Sequence, residues 1–258
     1  MTTHEIGPPD INLSAALFLD VDGTLLEFAP RPDAVYVPPG LPALLQALME
    51  ALGGALAVVS GRTISSVDRL LRPVLLPAAG QHGAEWRLRA DGPIVARVET
   101  AGMDELHLAL ERLADAGQDI FLERKPFSVT VHYRGAAGEL LRRIGDAIAE
   151  AGVAGWEILT AHQAFEVKRS GVDKGLAIGR FLEETPFRGR RPVFLGDDLT
   201  DEYGFAAVLA AGGEAVRVGP DERPSYARAR LSGPSQVLEW LAGQLSMLRT
   251  VEDKLAIF

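Results

Sequence analysis

Two carboxylates, Asp20 and Asp22, stand two positions apart in the segment DVDGT. They follow the apolar run AALFL at 15–19, which reads as a buried strand ending in a loop. In extended chain both side chains then leave on the same side. Carboxylates held that close repel each other unless a cation intervenes, and hard oxygen donors with few others suit Mg²⁺. Gly23 lets the chain turn sharply after them. Asp-Gly-Thr after a strand is also ordinary turn chemistry, and this segment alone leaves both readings open. A second acidic run, GDDLTDE, places Asp197, Asp198, Asp201 and Glu202 after the apolar PVFLG. Taken alone it reads as a solvated helix N-terminus, with acids favoured by the dipole and Thr200 available as a cap. The coincidence is what carries weight: both acidic runs end strands of one expected parallel sheet, and open α/β sheets gather their sites at such strand ends.

Three further residues fit the same edge. Ser60 in VVSGR ends another apolar run, where its hydroxyl and the following amides suit phosphoryl oxygens, although for a lone Ser ordinary helix capping is the commoner role. Lys174 in GVDKG begins a helix just before the acidic strand and suits an anion as a compact cation, although most lysines simply face water. His82 in GQHG is either a turn residue or a substrate contact.

The elements that must position these groups are legible from periodicity. Leu41, Leu44, Leu45, Leu48 and Leu52 recur at helical spacing and stop at Gly53-Gly54; ALAVV at 55–59 is a second buried strand, followed by the amphipathic TISSVDRLL. EWRLRADGPIVARVE reads as a hairpin around Asp91-Gly92. From 101 to 170 the pattern becomes helix, two strands (DIFLER and SVTVHYR), helix, and two more strands. Asp173 then caps a helix that stops near Pro186, PVFLG is a strand, and a helix spans 235–245. The expected fold is α/β: a Rossmann-like parallel-sheet core from 1–100 and 171–258, with an α+β domain inserted at 101–170.

Bulk composition narrows the function classes. The chain has 258 residues, 47% hydrophobic, enough for a substantial core. Acidic residues outnumber basic ones by 35 to 26, for a net charge of -9, and no Lys/Arg block marks a nucleic-acid footprint. With no cysteine, disulfides and thiolate chemistry are excluded. MTTHEIGPPD has neither the basic nor the apolar part of a secretory signal, and no apolar run approaches the roughly 20 residues that span a bilayer; a soluble, cytoplasmic protein is expected, without membrane contact.

DVDGT near the start, SGR after the second strand, a Lys at a helix start and GDD near the end, in that order, resemble the haloacid dehalogenase-like phosphohydrolases. Within that superfamily GQHGAEW at 80–86, the pair LERKPFSVTVHYR and FEVKRSGVDKG, and above all GDDLTDE look like the trehalose-6-phosphate phosphatases. The resemblance implies a catalytic core and an inserted cap that closes over a disaccharide. It makes Asp20 the nucleophile that forms an aspartyl phosphate and Asp22 the general acid and base, with Mg²⁺ on Asp20, the main-chain carbonyl of Asp22, and Asp197. Asp198 and Asp201 would be close neighbours of the metal. Ser60 and Lys174 match positions that hold the phosphoryl group, and Glu123, Lys125 and Glu166 match residues that bind sugar hydroxyls; Arg62, His82, Lys168 and Arg134 are looser matches. The implied reaction is hydrolysis of trehalose 6-phosphate, the last step of trehalose biosynthesis, by a phosphatase without an attached synthase domain. Sucrose phosphate and hexose phosphates are the rival substrates.

Overall fold

A computed structural model of the chain describes residues 7–29, 34–96, 98, 100–115, 120–133, 137–152, 154–161, 164–220 and 223–255. The elements run β1 (Ala15–Leu19), α1 (Leu41–Ala51), β2 (Leu56–Val59), α2 (Ile64–Leu70), β3 (Ala78–Gly80), β4 (Glu85–Arg87) and β5 (Val95–Ala96). Next come α3 (Met103–Asp115), β6 (Ile120–Arg124), β7 (Ser128–Tyr133), α4 (Ala137–Glu150), β8 (Trp156–Ala161) and β9 (Ala164–Arg169). The chain then forms α5 (Lys174–Leu182), β10 (Arg191–Gly196), α6 (Asp201–Ala210), β11 (Glu214–Val218), β12 (Ala229–Leu231) and α7 (Pro234–Leu255).

These elements fall into two compact units, one of Met1–Ala96 with Asp173–Phe258 and one of Arg97–Val172. In the first, eight strands lie in the order β12-β11-β10-β1-β2-β3-β4-β5. β1 pairs in parallel with β10 on one side and β2 on the other. The strand order therefore reverses at β1, and the loop after β1 opens at the switch point where such sheets bind ligands. AALFL and LAVV are buried at every position, which is why both read as unbroken apolar runs rather than alternating ones. Phe18 fixes β1 against the helical layer: its ring lies 5.8 Å from Phe181 of α5 and 5.5 Å from Phe187. The expected hairpin is present but short, with Glu85 opposite Ala96. α7 extends well past the expected 235–245, and Leu248 on its added turns is buried in the core.

The second unit is an antiparallel sheet, β6-β7-β9-β8, with α3 and α4 on one face. Val129, Val131, Phe165 and Val167 face those helices. The alternate positions, including Glu123, Ser128, Thr130, His132, Glu166 and Lys168, therefore belong to the opposite face of the sheet.

Candidate active site

β1 and β10 run in register, Leu19 beside Leu195, so the two acidic loops leave the sheet together. The main-chain N–H of Asp20 donates to the Leu195 carbonyl at 3.0 Å, extending the ladder one residue past the strand. At that edge one carboxylate oxygen from each of Asp20, Asp197 and Asp201 lies within 4.8 Å of the other two. Gly23 makes the approach feasible. It has φ +78°, and a Cβ there would run into the Asp197 carboxylate.

One cation serves this cluster from within the protein. Lys174, the first residue of α5 and 3% exposed, donates to Asp20 Oδ1 at 2.8 Å and to Asp201 Oδ1 at 2.6 Å. α5 reaches α6 this closely because Gly175 follows: a Cβ there would run into the Tyr203 carbonyl. The Asp173 side chain caps α5 by accepting from the Leu176 N–H at 2.8 Å, as expected. Burial disfavours the charged lysine, but the two carboxylates outweigh it and raise its pKa above the ordinary value.

Asp201 is 0% exposed and fully engaged, its Oδ2 accepting from the main-chain N–H groups of Asp197 at 3.0 Å and Asp198 at 2.9 Å. This reassigns the capping role. Thr200, the candidate cap in the sequence, makes no side-chain cap bond, and Asp201 organises the loop instead, because its carboxylate can accept both amides and Lys174 at once. Asp198 accepts from the Leu199 N–H at 2.6 Å.

Asp197 is thus the carboxylate of the cluster with an oxygen left over, and Asp20 stands beside it with Lys174 on one oxygen. Asp20 is 4% exposed; burial drives its carboxyl up to about 7, although Lys174 pulls the other way. Burial, followed by the charges of Asp20 and Asp201, raises Asp197 to about 9. Asp197 Oδ1 is buried without a hydrogen-bond partner. A buried and a half-buried carboxylate that both resist ionisation, with one oxygen orphaned, fit a divalent cation: hard oxygen donors are present and negative charge is in excess.

The remaining predicted core residues surround this pair. Asp22 is held by Arg62 through a two-pronged ion pair, Nε to Oδ2 at 2.7 Å and Nη2 to Oδ1 at 2.6 Å. The pairing spans 40 positions and was not legible in the sequence. Ser60 is buried at the end of β2, its Oγ accepting from the Arg62 N–H at 3.2 Å. His82 sits in a 3₁₀ turn at φ 59°, and its main-chain N–H donates to the Ser60 carbonyl at 3.0 Å. Two residues that sequence reasoning missed brace the site. Thr24 lies 3.4 Å from Asp20 Oδ2 through its hydroxyl, and Arg217 of β11, 0% exposed, donates to the Asp197 main-chain carbonyl and to Glu202 Oε1, each at 3.2 Å. A lone Arg in the strand EAVRV carries no signal of that role.

In the second unit, Glu123, Thr130 and Glu166 are successive cross-strand neighbours on β6, β7 and β9. Lys125 Nζ donates to Glu166 Oε1 at 2.9 Å and Ser128 Oγ to the same oxygen at 2.7 Å. His132 Nε2 lies 3.1 Å from Glu123 Oε2, a bond that holds the Glu123 carboxyl below the usual range. Lys168 is committed to the Glu157 carboxylate and the Val172 carbonyl. Arg134 lies outside the described residues.

Comparison with known proteins identifies relatives over nearly the whole chain. A family model described as trehalose-phosphatase matches residues 18–235. Similarity reaches 38% identity over 250 residues to the trehalose-6-phosphate phosphatase of Escherichia coli (strain K12), covering 93% of this chain and 90% of that protein. It reaches 39% over 236 residues to a probable trehalose-phosphate phosphatase of Sinorhizobium fredii, covering 90% and 88%. Among solved structures, the C-terminal domain of C. albicans trehalose-6-phosphate phosphatase superposes with a TM-score of 0.77 at 21% identity, covering 90% of this chain and 93% of that one, which shows a shared fold.

Proposed function

The chain belongs to the trehalose-phosphatase family, and from that premise we propose that it hydrolyses trehalose 6-phosphate to trehalose and phosphate through an aspartyl-phosphate intermediate. The observation that carries the chemistry is the convergence of Asp20 and Asp197 beside Lys174 at the switch point of the sheet.

In the proposed reaction an Asp20 oxygen attacks phosphorus in line while the bond from phosphorus to the sugar oxygen breaks. Asp22 gives its proton to the departing oxygen, leaving free trehalose. A water molecule then attacks the phosphorus of the acyl phosphate. Asp22 takes a proton from it, phosphate leaves, and the Asp20 carboxylate is restored, so the two roles of Asp22 follow from microscopic reversibility. In its ionised, proton-accepting form the Asp22 carboxylate is held in one orientation by Arg62. Lys174 and Ser60 hold the phosphoryl oxygens, with His82 at their edge. Asp20, Asp197 and the Asp22 main-chain carbonyl would hold Mg²⁺, which when bound offsets the negative charge gathered where carboxylate and phosphate meet. Asp201 and Asp198 keep that loop in place. Glu123, Lys125 and Glu166 bind sugar hydroxyls and set the choice of substrate, which makes 97–172 a specificity cap.

The test is phosphate release, with and without Mg²⁺, from trehalose 6-phosphate, sucrose 6-phosphate, glucose 6-phosphate and an aryl phosphate. Highest kcat/KM on trehalose 6-phosphate with strict metal dependence is expected. Faster turnover of sucrose 6-phosphate or of a hexose phosphate would replace the substrate assignment while leaving the core chemistry intact.

A further inference from the structure

We infer that Thr130 is a sugar-contacting, specificity-determining residue, its hydroxyl supplying a hydrogen-bond donor between the carboxylates of Glu123 and Glu166. The inference rests on the sugar phosphatase reading above and deepens it.

Thr130 is paired directly with Glu123 on one side and Glu166 on the other, so the three side chains form one row across β6, β7 and β9. Neighbouring strands stand about 4.8 Å apart, and the row is therefore on the scale of a pyranose ring with its substituents. Its neighbours on that face are committed: Ser128 and Lys125 to Glu166, His132 to Glu123, Lys168 to Glu157. Thr130 is 6% exposed, and among the described residues of that face its Oγ1 is the one buried side-chain oxygen without a hydrogen-bond partner.

An unpaired buried hydroxyl destabilises the fold relative to the isosteric valine, which would fill the same space. Packing alone therefore gives no reason for Thr here, where Val129 and Val131 stand on the other face of the same strand. Ligand chemistry does. Ionised Glu123 and Glu166 only accept hydrogen bonds, whereas each sugar hydroxyl both donates and accepts. A hydroxyl that gives its proton to a carboxylate still has lone pairs to satisfy, and the Thr130 O–H between the two carboxylates can supply that bond. The β-branched side chain has few χ1 wells, so the hydroxyl is held in place at little entropic cost.

The experiment compares wild type with Thr130→Val, Thr130→Ser and Thr130→Ala, measuring kcat and KM on trehalose 6-phosphate and on an aryl phosphate, together with Tm. Thr130→Val keeps the shape and removes only the hydroxyl. It is expected to raise KM for trehalose 6-phosphate roughly three- to tenfold, the range for one lost hydrogen bond, with aryl phosphate kinetics unchanged and Tm unchanged or higher. Thr130→Ser, which restores the hydroxyl, should recover most of the wild-type KM. Unchanged KM in Thr130→Val, or equal losses on both substrates, overturns the inference. If wild type itself fails on trehalose 6-phosphate, the substrate assignment falls instead, and Thr130→Val measured on whichever sugar phosphate is turned over then decides Thr130 on its own.

Discussion

At the scale of single residues, Asp20 is defined less by its type than by what surrounds it. Burial and neighbouring acids oppose its ionisation while Lys174 favours it, so the carboxylate is a held charge rather than a surface one. Asp20→Asn should lower kcat at least about a hundredfold, as loss of an essential nucleophile does. The same change should leave the fold intact and raise Tm without metal, because a neutral amide relieves repulsion with Asp197; steady-state kinetics and thermal melts check both. Gly23→Ala tests the geometry independently. A left-handed φ and the adjacent Asp197 carboxylate leave no room for a methyl group, so we expect loss of most activity and a stability cost of about 1–3 kcal/mol by denaturant unfolding. Glu123→Ala should hurt trehalose 6-phosphate turnover more than that of an aryl phosphate; equal losses would mean that Glu123 does not read the sugar. DVDGT announced Asp20, Asp22 and Gly23 because a motif states types and spacing together. Arg62 paired with Asp22, and Thr130 between two glutamates, were beyond the sequence: one depends on a contact across 40 positions and the other on strand register.

Among the elements, β1, β10 and α5 do the positioning. The strands were readable because burial on both faces leaves apolar runs with acids at their ends, and α5 was readable from Asp173 at its cap and the spacing of its apolar residues. The extent of α7 was not, because among its described side chains past 245 Leu248 is buried while Ser246, Met247, Arg249, Thr250 and Val251 are exposed. β11 adds what no pattern marked. Arg217 joins three elements, since it holds the Asp197 carbonyl and Glu202, whose other oxygen accepts from the Tyr226 N–H at 2.9 Å. Arg217→Met should cost about 3 kcal/mol by leaving Glu202 without its cation. It should also weaken metal binding by about tenfold in calorimetric titration, as loss of a supporting contact does. Stability loss with unchanged metal affinity would confine Arg217 to the fold.

For the whole molecule, acid–base linkage gives a measurable signature. Asp20 and Asp197 ionise at about 7 and about 9 when folded, against 3.8 unfolded, so between those limits the native state binds more protons than the unfolded chain. Their contribution to stability is therefore greatest below the unfolded value and is lost as pH rises through the two folded ones. Metal-free protein should show a Tm that falls over that range, and the gain in Tm on adding Mg²⁺ should be larger near pH 8.5 than near pH 6. A gain independent of pH would argue against these two carboxylates as ligands. The order of the large sheet has a consequence for synthesis. β1 lies between β2 and β10, so one edge of the strand that ends at Leu19 waits while the chain grows to residue 196. The stretch 97–172, whose sheet and helices are contiguous, has all its partners before then. On the ribosome the inserted unit can fold while the core is still missing half of its central pairing, and during that interval the apolar AALFL keeps one unpaired edge.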